Sequence, residues 1–425
     1  MTSMTGVPKQ GFRLSQLIYD TRYRSLTIQV VVFMLFMLGA AWLVDNTIRN
    51  LQALGKDFNF GFLTYRSGYD IGQTLIPYTN DSSHARAALI GLLNTLLISS
   101  LGCIAATVIG VFVGVLRLSK NWLVARLMTV YVEVFRNVPV LLWILIILAI
   151  FTEVMPAPNA YRVTDQMLAE GVQPAATMVL FDTIAPTNRY TAIPSIGFSR
   201  SLGGFDTSFM PISFNFLAMV AALGLGIFFN RRVLATAKAV QEATGDRPVT
   251  WWKSILLLVG PLLAVMIALG FHLNLPALKG FNFAGGLNVT NAFVVLWLAL
   301  SLYTGAFIAE IVRAGVLAIS NGQTEAAFAL GLRPGRTMNL VILPQALRVI
   351  IPPLISQFLN LTKNSSLAIA VGYMDLRGTL GGITLNQTGR ELECILLMML
   401  IYLAISLVIS GVMNVYNNSV KLKER

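Results

Sequence analysis

The chain has 425 residues, of which 56% are hydrophobic and 12% are charged, and its net charge is +12. A soluble domain carries about 25% charged residues, so this composition excludes an ordinary soluble enzyme, and its hydrophobicity excludes a disordered chain. Several unbroken apolar runs approach the roughly 20 residues that cross the ~30 Å hydrocarbon core of a bilayer as a helix. The sequence therefore predicts an all-α, polytopic membrane protein and not a β-barrel, whose strands alternate apolar and polar residues.

About eight transmembrane helices are predicted along the chain. Their bounds are 26–44, 88–116, 136–152, 213–229, 253–271, 291–312, 349–371 and 392–413. The corresponding layout is a tail over 1–25, a first helix with its external loop over 26–87, a transmembrane domain over 88–413 that contains an insertion over 153–290, and a tail over 414–425.

Lysine and arginine are distributed unevenly between the predicted connections. If the N terminus is cytoplasmic, the cytoplasmic segments hold 20 of the 31 basic residues and the external segments hold 10, while Lys363 falls within a span. Because basic loops stay on the cytoplasmic side, both termini are predicted to be cytoplasmic. Loops that face anionic membrane lipid also account for the net charge without nucleic acid.

Two external loops, 45–87 and 153–212, are rich in Asp, Pro, Gly and Asn. The second is too long for a simple connection between helices. It either shapes an entrance or docks a partner, or it is a lineage-specific insertion.

The chain lacks the common motifs of catalysis. It has no G-x-x-x-x-G-K-[ST], H-E-x-x-H or G-x-S-x-G sequence and no cluster with the spacing of a metal site. We therefore expect no enzymatic site, no bound metal and no ATP bound through a P-loop. Transport, or a scaffold for transport, becomes the leading class of function.

The connection from Ser320 to Arg348 is the most informative segment. Ser320 and Gln323 have the spacing of a capping box, and Glu325 would lie in the first helical turn, where a negative charge is favourable. A run of helix formers follows, and 333–335, with the letters R-P-G, predicts a break before a second helix that ends at Pro344. The pattern predicts a short helix, a turn and another helix, with small residues that allow close approach of a second protein. An unrelated amphipathic hairpin is the alternative.

This segment resembles the EAA loop of ABC importer permeases. The resemblance rests on Glu325-Ala326-Ala327, then Gly331 after three residues, then Val341 after nine more and Leu343-Pro344. It implies the fold of a type I ABC importer transmembrane domain with extra helices, and a loop that docks in a cleft of the ATPase subunit. The family usually has Ile where Val341 stands.

Flanking motifs are similar to those of the polar amino acid uptake branch of this family. They are Y-T-G at 303–305, A-E-I at 309–311 with Arg313, Q-A-L-R at 345–348, L-T-K-N-S-S-L at 361–367, G-L-L-N-T-L at 91–96 and F-R-N-V-P-V-L-L at 135–142. The chain departs from the branch at 137–138, where Gly-Thr is common, at 363–366, where Lys-Asp-Thr-Ser is common, and at the R-P-G turn.

The resemblance covers about 88–152 and 291–413, and the long layout is similar to the permeases of general L-amino acid ABC transporters. It implies two ATP-binding cassette ATPase subunits that hold the ATP and Mg²⁺, a second and different permease, a periplasmic amino-acid-binding protein and an amino acid substrate. It also implies a bacterial inner membrane location. This chain would form half of the translocation pathway and bind no cofactor itself.

Polar residues within the spans are the candidates for contact with substrate, because such groups are costly in a membrane. They are Thr95, Ser301, Tyr303, Thr304, Glu310, Lys363, Asn364, Ser365 and Ser366. The hydroxyl groups have an alternative role in bonding back to their own helix. Glu310 and Arg313 lie three residues apart, which favours a structural ion pair. Lys363 could attract a substrate carboxylate or pair with a neighbouring subunit.

These observations predict a permease subunit that works by alternating access, with ATP-driven closure transmitted through the 325–331 segment. The rival is a secondary transporter that needs no ATPase. That rival requires an acidic pair for ion coupling inside the membrane, and only Glu310 approaches this description.

Overall fold

Apolar helices make up most of the chain in the computed structural model, which describes residues 16–53, 55, 57–163, 165–171, 173–207, 211–246 and 248–420. The outer parts of the predicted tails, 1–15 and 421–425, lie outside the described residues. The helices are α1 Gln16–Tyr19, α2 Thr21–Ala53, α3 His84–Leu116, α4 Trp122–Asn137, α5 Val140–Ala149, α6 Asp165–Glu170, α7 Phe214–Thr244, α8 Trp251–Ala268, α9 Asn291–Leu317, α10 Asn321–Ala329, α11 Pro334–Thr337, α12 Leu343–Asn364, α13 Leu376–Gly378, α14 Leu385–Thr388 and α15 Glu391–Val420.

Within the described residues, seven helical segments are long and apolar enough to cross a membrane, and the bent pair α4–α5 is a candidate eighth. The predicted fold class, an all-α polytopic membrane protein, is confirmed. The chain separates into two compact units, one ending at Phe62 and the other beginning at Leu63. The first unit contains α2, an exposed helix with an ion pair between Asp45 and Arg49 at 2.8 Å.

The second unit is organised around α9, which packs against α3, α4, α5 and α12. Large side chains of α9, among them Leu296, Leu300 and Ile308, are fully buried there. Two glycines of α3, four residues apart in a G-x-x-x-G spacing, permit its close approach to α9. A Cβ atom at Gly110 would lie 2.5 Å from Cβ of Ile308, and one at Gly114 would lie 2.7 Å from the carbonyl oxygen of Ala309.

The third predicted span, 136–152, differs from the structure. Two helices, α4 and α5, meet there at an angle of 105°, and a π-helical turn continues α5 over Ile150–Val154. Pro139 is the cap residue between them, and proline disfavours helical geometry in the residue before it. The prediction missed α4 because Arg126, Glu133 and Arg136 interrupt its apolar pattern.

The loop after α9 differs from the prediction at three points. Glu325 is the fifth residue of α10 and lies beyond its first turn, which holds no acidic residue. Ser320 occupies the cap position of α10, but its side chain makes no cap hydrogen bond. The prediction of a capping box is therefore wrong. The Gln323 side chain instead accepts a hydrogen bond from Nε2 of Gln345 at 3.4 Å. Pro344 does not break the second helix, because it lies in the first turn of α12, where proline is tolerated. A π-helical turn, Met338–Ile342, joins α11 to α12 without interruption.

Short antiparallel strands, which the sequence analysis did not predict, occupy parts of the predicted insertion. They are β1 Ala185–Pro186, β2 Tyr190–Ile193, β3 Ser195–Phe198, β4 Gly204–Asp206, β5 Pro211–Ser213, β6 Phe271–Asn274, β7 Ala277–Lys279, β8 Asn282–Ala284 and β9 Leu287–Thr290. One sheet has the order β1-β2-β9, and the others are the pairs β3-β6, β4-β5 and β7-β8. A small core of Tyr161, Ala185, Ala192 and Phe283 holds part of this region together.

The two ends of the helix bundle can be told apart by their contacts. Strands β5 and β9 lead into α7 and α9, and Oγ1 of Thr290 donates to Oε1 of Gln73 at 3.0 Å. We call this the β end. The opposite end, where Arg117, Arg136 and Arg313 lie, is the basic end.

Candidate functional site

The EAA segment forms a short helix that projects at the basic end. Helix α10 follows α9 after three residues and is exposed along most of its length. Because successive helical residues are rotated by about 100°, the triplet divides between two faces: Glu325 and Ala326 are exposed, whereas Ala327 is 3% exposed and faces inward. Two large apolar side chains, Phe328 and Leu330, are exposed beside them.

Gly331 ends α10 in a conformation that favours glycine. Its φ angle is +76°, in the left-handed region, where other residues pay a steric cost. The amide of Gly331 donates to the carbonyl of Phe328 at 2.9 Å, and the amide of Leu332 donates to that of Ala327 at 3.1 Å. These two bonds form a Schellman cap, which explains why glycine stands four residues after the triplet.

Leu343 and Pro344, the other predicted members of the coupling loop, lie at the start of α12. Leu343 is 42% exposed and Pro344 is half-buried. The structure therefore brings both ends of the segment to one end of the bundle, where Gln345 contacts Gln323.

Glu310 forms the centre of an ionic cluster at the basic end. It accepts from Nη2 of Arg313 at 2.6 Å, it pairs with Arg117, and Nη1 of Arg136 lies 3.8 Å away. The Arg117 side chain is only 8% exposed. The pair with Arg313 is the one that the spacing favoured. The cluster also connects α3 and α4 to the helix that leads into α10.

Arg117 and Arg136 were not among the predicted site residues. A carboxylate with three guanidinium groups gives the cluster an excess of positive charge, and Nε of both Arg117 and Arg136 is buried without a hydrogen-bond partner in the described structure. Their only signal in the sequence was position: Arg117 directly follows a span, and Arg136 belongs to the F-R-N motif.

A second polar cluster lies nearer the β end, between α3 and the connection 372–390. The Thr95 hydroxyl donates to the carbonyl of Gly91 at 2.9 Å and accepts from the amide of Leu376 at 3.0 Å. Asn94 donates to the carbonyl of Met374 at 2.8 Å. Thr95 thus bonds back to its own helix and also fixes the connection against α3.

Asp375 and Tyr402 complete this second cluster, and the sequence analysis missed both. The buried Asp375 carboxylate accepts from the Gly378 amide at 2.8 Å and from the Tyr402 hydroxyl at 3.2 Å. The Tyr402 hydroxyl also interacts with Thr95 and Ser365. A lone Asp after an apolar segment gave no signal that its carboxylate would be buried.

The remaining candidates at the end of α12 do not form one site. The Ser365 hydroxyl donates to the carbonyl of Thr362 and the Ser366 hydroxyl to that of Lys363, both at 2.7 Å. Both hydroxyl groups therefore bond back to the preceding helical turn, which is the alternative to substrate contact given above. Asn364 is half-buried, whereas the Lys363 side chain is exposed.

The candidates on α9 occupy its middle turns. Ser301 is 1% exposed, and its hydroxyl oxygen has no hydrogen-bond partner among the described residues. Thr304 is 2% exposed, and Tyr303 lies with its ring 5.0 Å from that of Phe307. The Ser301 and Thr304 side chains therefore face the interior of the bundle.

Comparison with known proteins agrees with these features. Residues 215–422 match the family described as the binding-protein-dependent transport system inner membrane component. The chain is 64% identical to the glutamate/glutamine/aspartate/asparagine transport system permease protein BztB of Rhodobacter capsulatus, over 98% of each chain. It is 42% identical to the general L-amino acid transport system permease protein AapQ of Rhizobium johnstonii, over 98% of this chain and 96% of that one.

Among solved structures, the chain is similar to one described as an amino acid ABC transporter with histidines. The TM-score is 0.43 and the sequence identity is 18%, and the match covers 79% of this chain and 95% of that one. The matches to full-length relatives carry the assignment. The chain therefore belongs to the amino acid ABC transporter permeases, the membrane subunits of binding-protein-dependent importers.

Proposed function

We propose that the chain carries glutamate, glutamine, aspartate and asparagine into the cell as one half of a heteromeric translocation pathway. The observation that carries this proposal is the 64% identity, over 98% of both chains, to a permease named for these four amino acids. The other half would come from a second, different permease, and a periplasmic amino-acid-binding protein would deliver the substrate.

In this proposal α10 is the coupling helix. It presents Glu325 and Ala326 to the outside, with Phe328 and Leu330 exposed beside them. A short helix with small and apolar residues on its free face fits a cleft on another protein. The partners are two ATP-binding cassette ATPase subunits, which hold the ATP and Mg²⁺. This chain supplies the docking surface and binds neither.

The Glu310 cluster supports such coupling, because it connects α10 to the rest of the bundle. A displacement of α10 acts directly on α9, and Glu310 joins α9 to Arg117, at the end of α3, and to Arg136 on α4. ATP and the loaded binding protein can drive alternating access only if each has a different affinity for the two states of the bundle. Helices joined at one end can move together between such states.

The orientation proposed is a cytoplasmic basic end and cytoplasmic termini in the bacterial inner membrane. Basic residues concentrate on the cytoplasmic side of membrane proteins, and Arg117, Arg136 and Arg313 gather at the end from which α10 projects. The β end would then face the periplasm and the binding protein.

The candidate residues along the pathway fall into two groups in this proposal. Ser301 offers a buried hydroxyl without a partner, and Lys363 offers an exposed ammonium that can attract a substrate carboxylate. Thr95 and Ser365, near Tyr402 and Asp375, would shape the wall of the pathway. Tyr303, Thr304, Asn364 and Ser366 remain candidates at neighbouring positions.

Reconstitution of the complete importer in proteoliposomes tests the proposal. With ATP inside the vesicles and binding protein outside, we expect uptake of labelled glutamate, glutamine, aspartate and asparagine. We expect Lys363→Gln to raise the KM for uptake, while Lys279→Gln, which removes an equally exposed charge at the β end, leaves it unchanged. Uptake that continues without ATP would instead support a secondary transporter.

A further inference from the structure

Helices α7 and α8, which belong to the insertion, form an antiparallel hairpin whose principal contacts are within itself. A Cβ atom at Gly226 of α7 would collide with the carbonyl oxygen of Leu257 on α8, so the two helices touch at this level. No residue of α8 is buried, and α7 buries only Asn215, Ala222, Gly226 and Ala237. Most of the hairpin surface is therefore left for the membrane to cover.

The contact at Gly226 fixes which residues share one level of the hairpin. Arg231 and Arg232 lie five and six residues further along α7, and Trp251–Lys253 lie four to six residues earlier on α8. At about 1.5 Å per residue, both groups are about 6 to 9 Å from the contact and on the same side of it. The apolar part of the hairpin thus ends in three cations and two tryptophans.

Among the residues that the structure describes, these cations have no acidic partner. Arg231, Arg232 and Lys253 are exposed, and the ion pair that the described structure gives this hairpin joins Lys238 to Glu242. Aromatic rings hold two of the cations without neutralising them: the Arg232 guanidinium lies 4.7 Å from the ring centre of Phe228, and Nζ of Lys253 lies 5.4 Å from that of Trp252.

We propose that this end of the hairpin binds the phosphate of an anionic phospholipid headgroup. Arg231, Arg232 and Lys253 supply uncompensated positive charge at one level, which matches the charge of a lipid phosphate. Trp251 and Trp252, 67% and 49% exposed, occupy the region between headgroup and acyl chain, where tryptophan is favoured. A lipid is the expected occupant, because the apolar surfaces of α7 and α8 that continue from these cations toward the β end are largely exposed and can contact its acyl chains.

The test is native mass spectrometry of the full-length chain in a neutral detergent, titrated with dioctanoyl phosphatidylglycerol. The variant R232Q/K253Q removes two of the cations. Its matched control, R189Q/K279Q, removes two exposed cations near the β end and changes the net charge equally. Since a basic residue contributes about fivefold to affinity at an anionic surface, we expect binding about 25-fold weaker in R232Q/K253Q and unchanged in the control.

Two further measurements separate recognition from misfolding and from other ligands. The variant R232K/K253R keeps both charges and should restore binding, which a folding defect would not allow. Dioctanoyl phosphatidylcholine should bind weakly to every variant, and inorganic phosphate should not displace the lipid. Equal losses in the two double variants, tight binding of phosphatidylcholine, or displacement by inorganic phosphate would each overturn the proposal.

Discussion

The cap at the end of α10 gives the sharpest prediction for the proposed coupling segment. Gly331→Ala places a Cβ atom in a left-handed conformation at φ +76°, which costs roughly 1–2 kcal/mol for an L-residue. Nothing lies within 4 Å of that Cβ position, so the cost is conformational and not a clash. A penalty of this size shifts the local equilibrium between capped and open forms about 5- to 30-fold toward the open form.

Hydrogen exchange of the peptide that covers 321–337 measures this shift. We expect faster exchange by about the same factor at the amides of Gly331 and Leu332, whose bonds define the cap, together with reduced ATP-coupled uptake. Gly335→Ala is the matched control, because its Cβ position is also open but its φ is not positive. Gly331→Asn should recover part of the protection, since asparagine tolerates the left-handed region. Equal exchange in Gly331→Ala and Gly335→Ala would refute the reasoning.

Three further substitutions test the contacts that hold the bundle together, each followed by the thermal stability of the purified chain in detergent. Gly110→Ala, whose Cβ atom would lie 2.5 Å from Ile308, should destabilise the chain by about 1–3 kcal/mol. Gly411→Ala, whose Cβ atom would have nothing within 4 Å, should not destabilise it. Equal stability of the two variants would contradict close packing of α3 on α9. Glu310→Gln leaves the buried guanidinium of Arg117 without its carboxylate partner and should lower the stability of the chain by about 3 kcal/mol. Retention of wild-type stability would show that the cluster is not structural. Thr95→Val leaves the amide of Leu376 without its hydrogen-bond acceptor and should lower the stability of the chain by about 1–3 kcal/mol. Thr95→Ser keeps the hydroxyl and should retain most of that stability. Identical effects of the two substitutions would argue against this hydrogen bond.

The transmembrane helices could be predicted because an apolar run of sufficient length has few alternatives in a membrane. The bend between α4 and α5 could not, since Arg126 and Glu133 break the hydropathy pattern that reveals a span. The structure explains why the pattern fails here: α4 packs against α9 through a face that buries Val132, whereas Arg126 and Glu133 are exposed.

The proposed coupling segment could be recognised in the sequence because its residues are adjacent in the chain. The Glu310 cluster was visible only in part, since Arg313 lies one helical turn away, whereas Arg117 is brought to Glu310 by the packing of α3 on α9. The same limit applies to Asp375, whose partner Tyr402 is distant in the chain. Local spacing predicts contacts within a helix, and only the packed bundle shows those between helices.

The central claim, that α10 transmits ATP hydrolysis to the membrane pathway, is tested most directly by ATP-dependent glutamate uptake in proteoliposomes that contain the complete importer. Glu325→Arg places a bulky cation on the exposed face of α10 and is expected to abolish this uptake without reducing the amount of assembled permease. Glu242→Arg, a change of the same charge at an exposed position on α7, is expected to retain it. Normal uptake in the Glu325→Arg importer would contradict the claim.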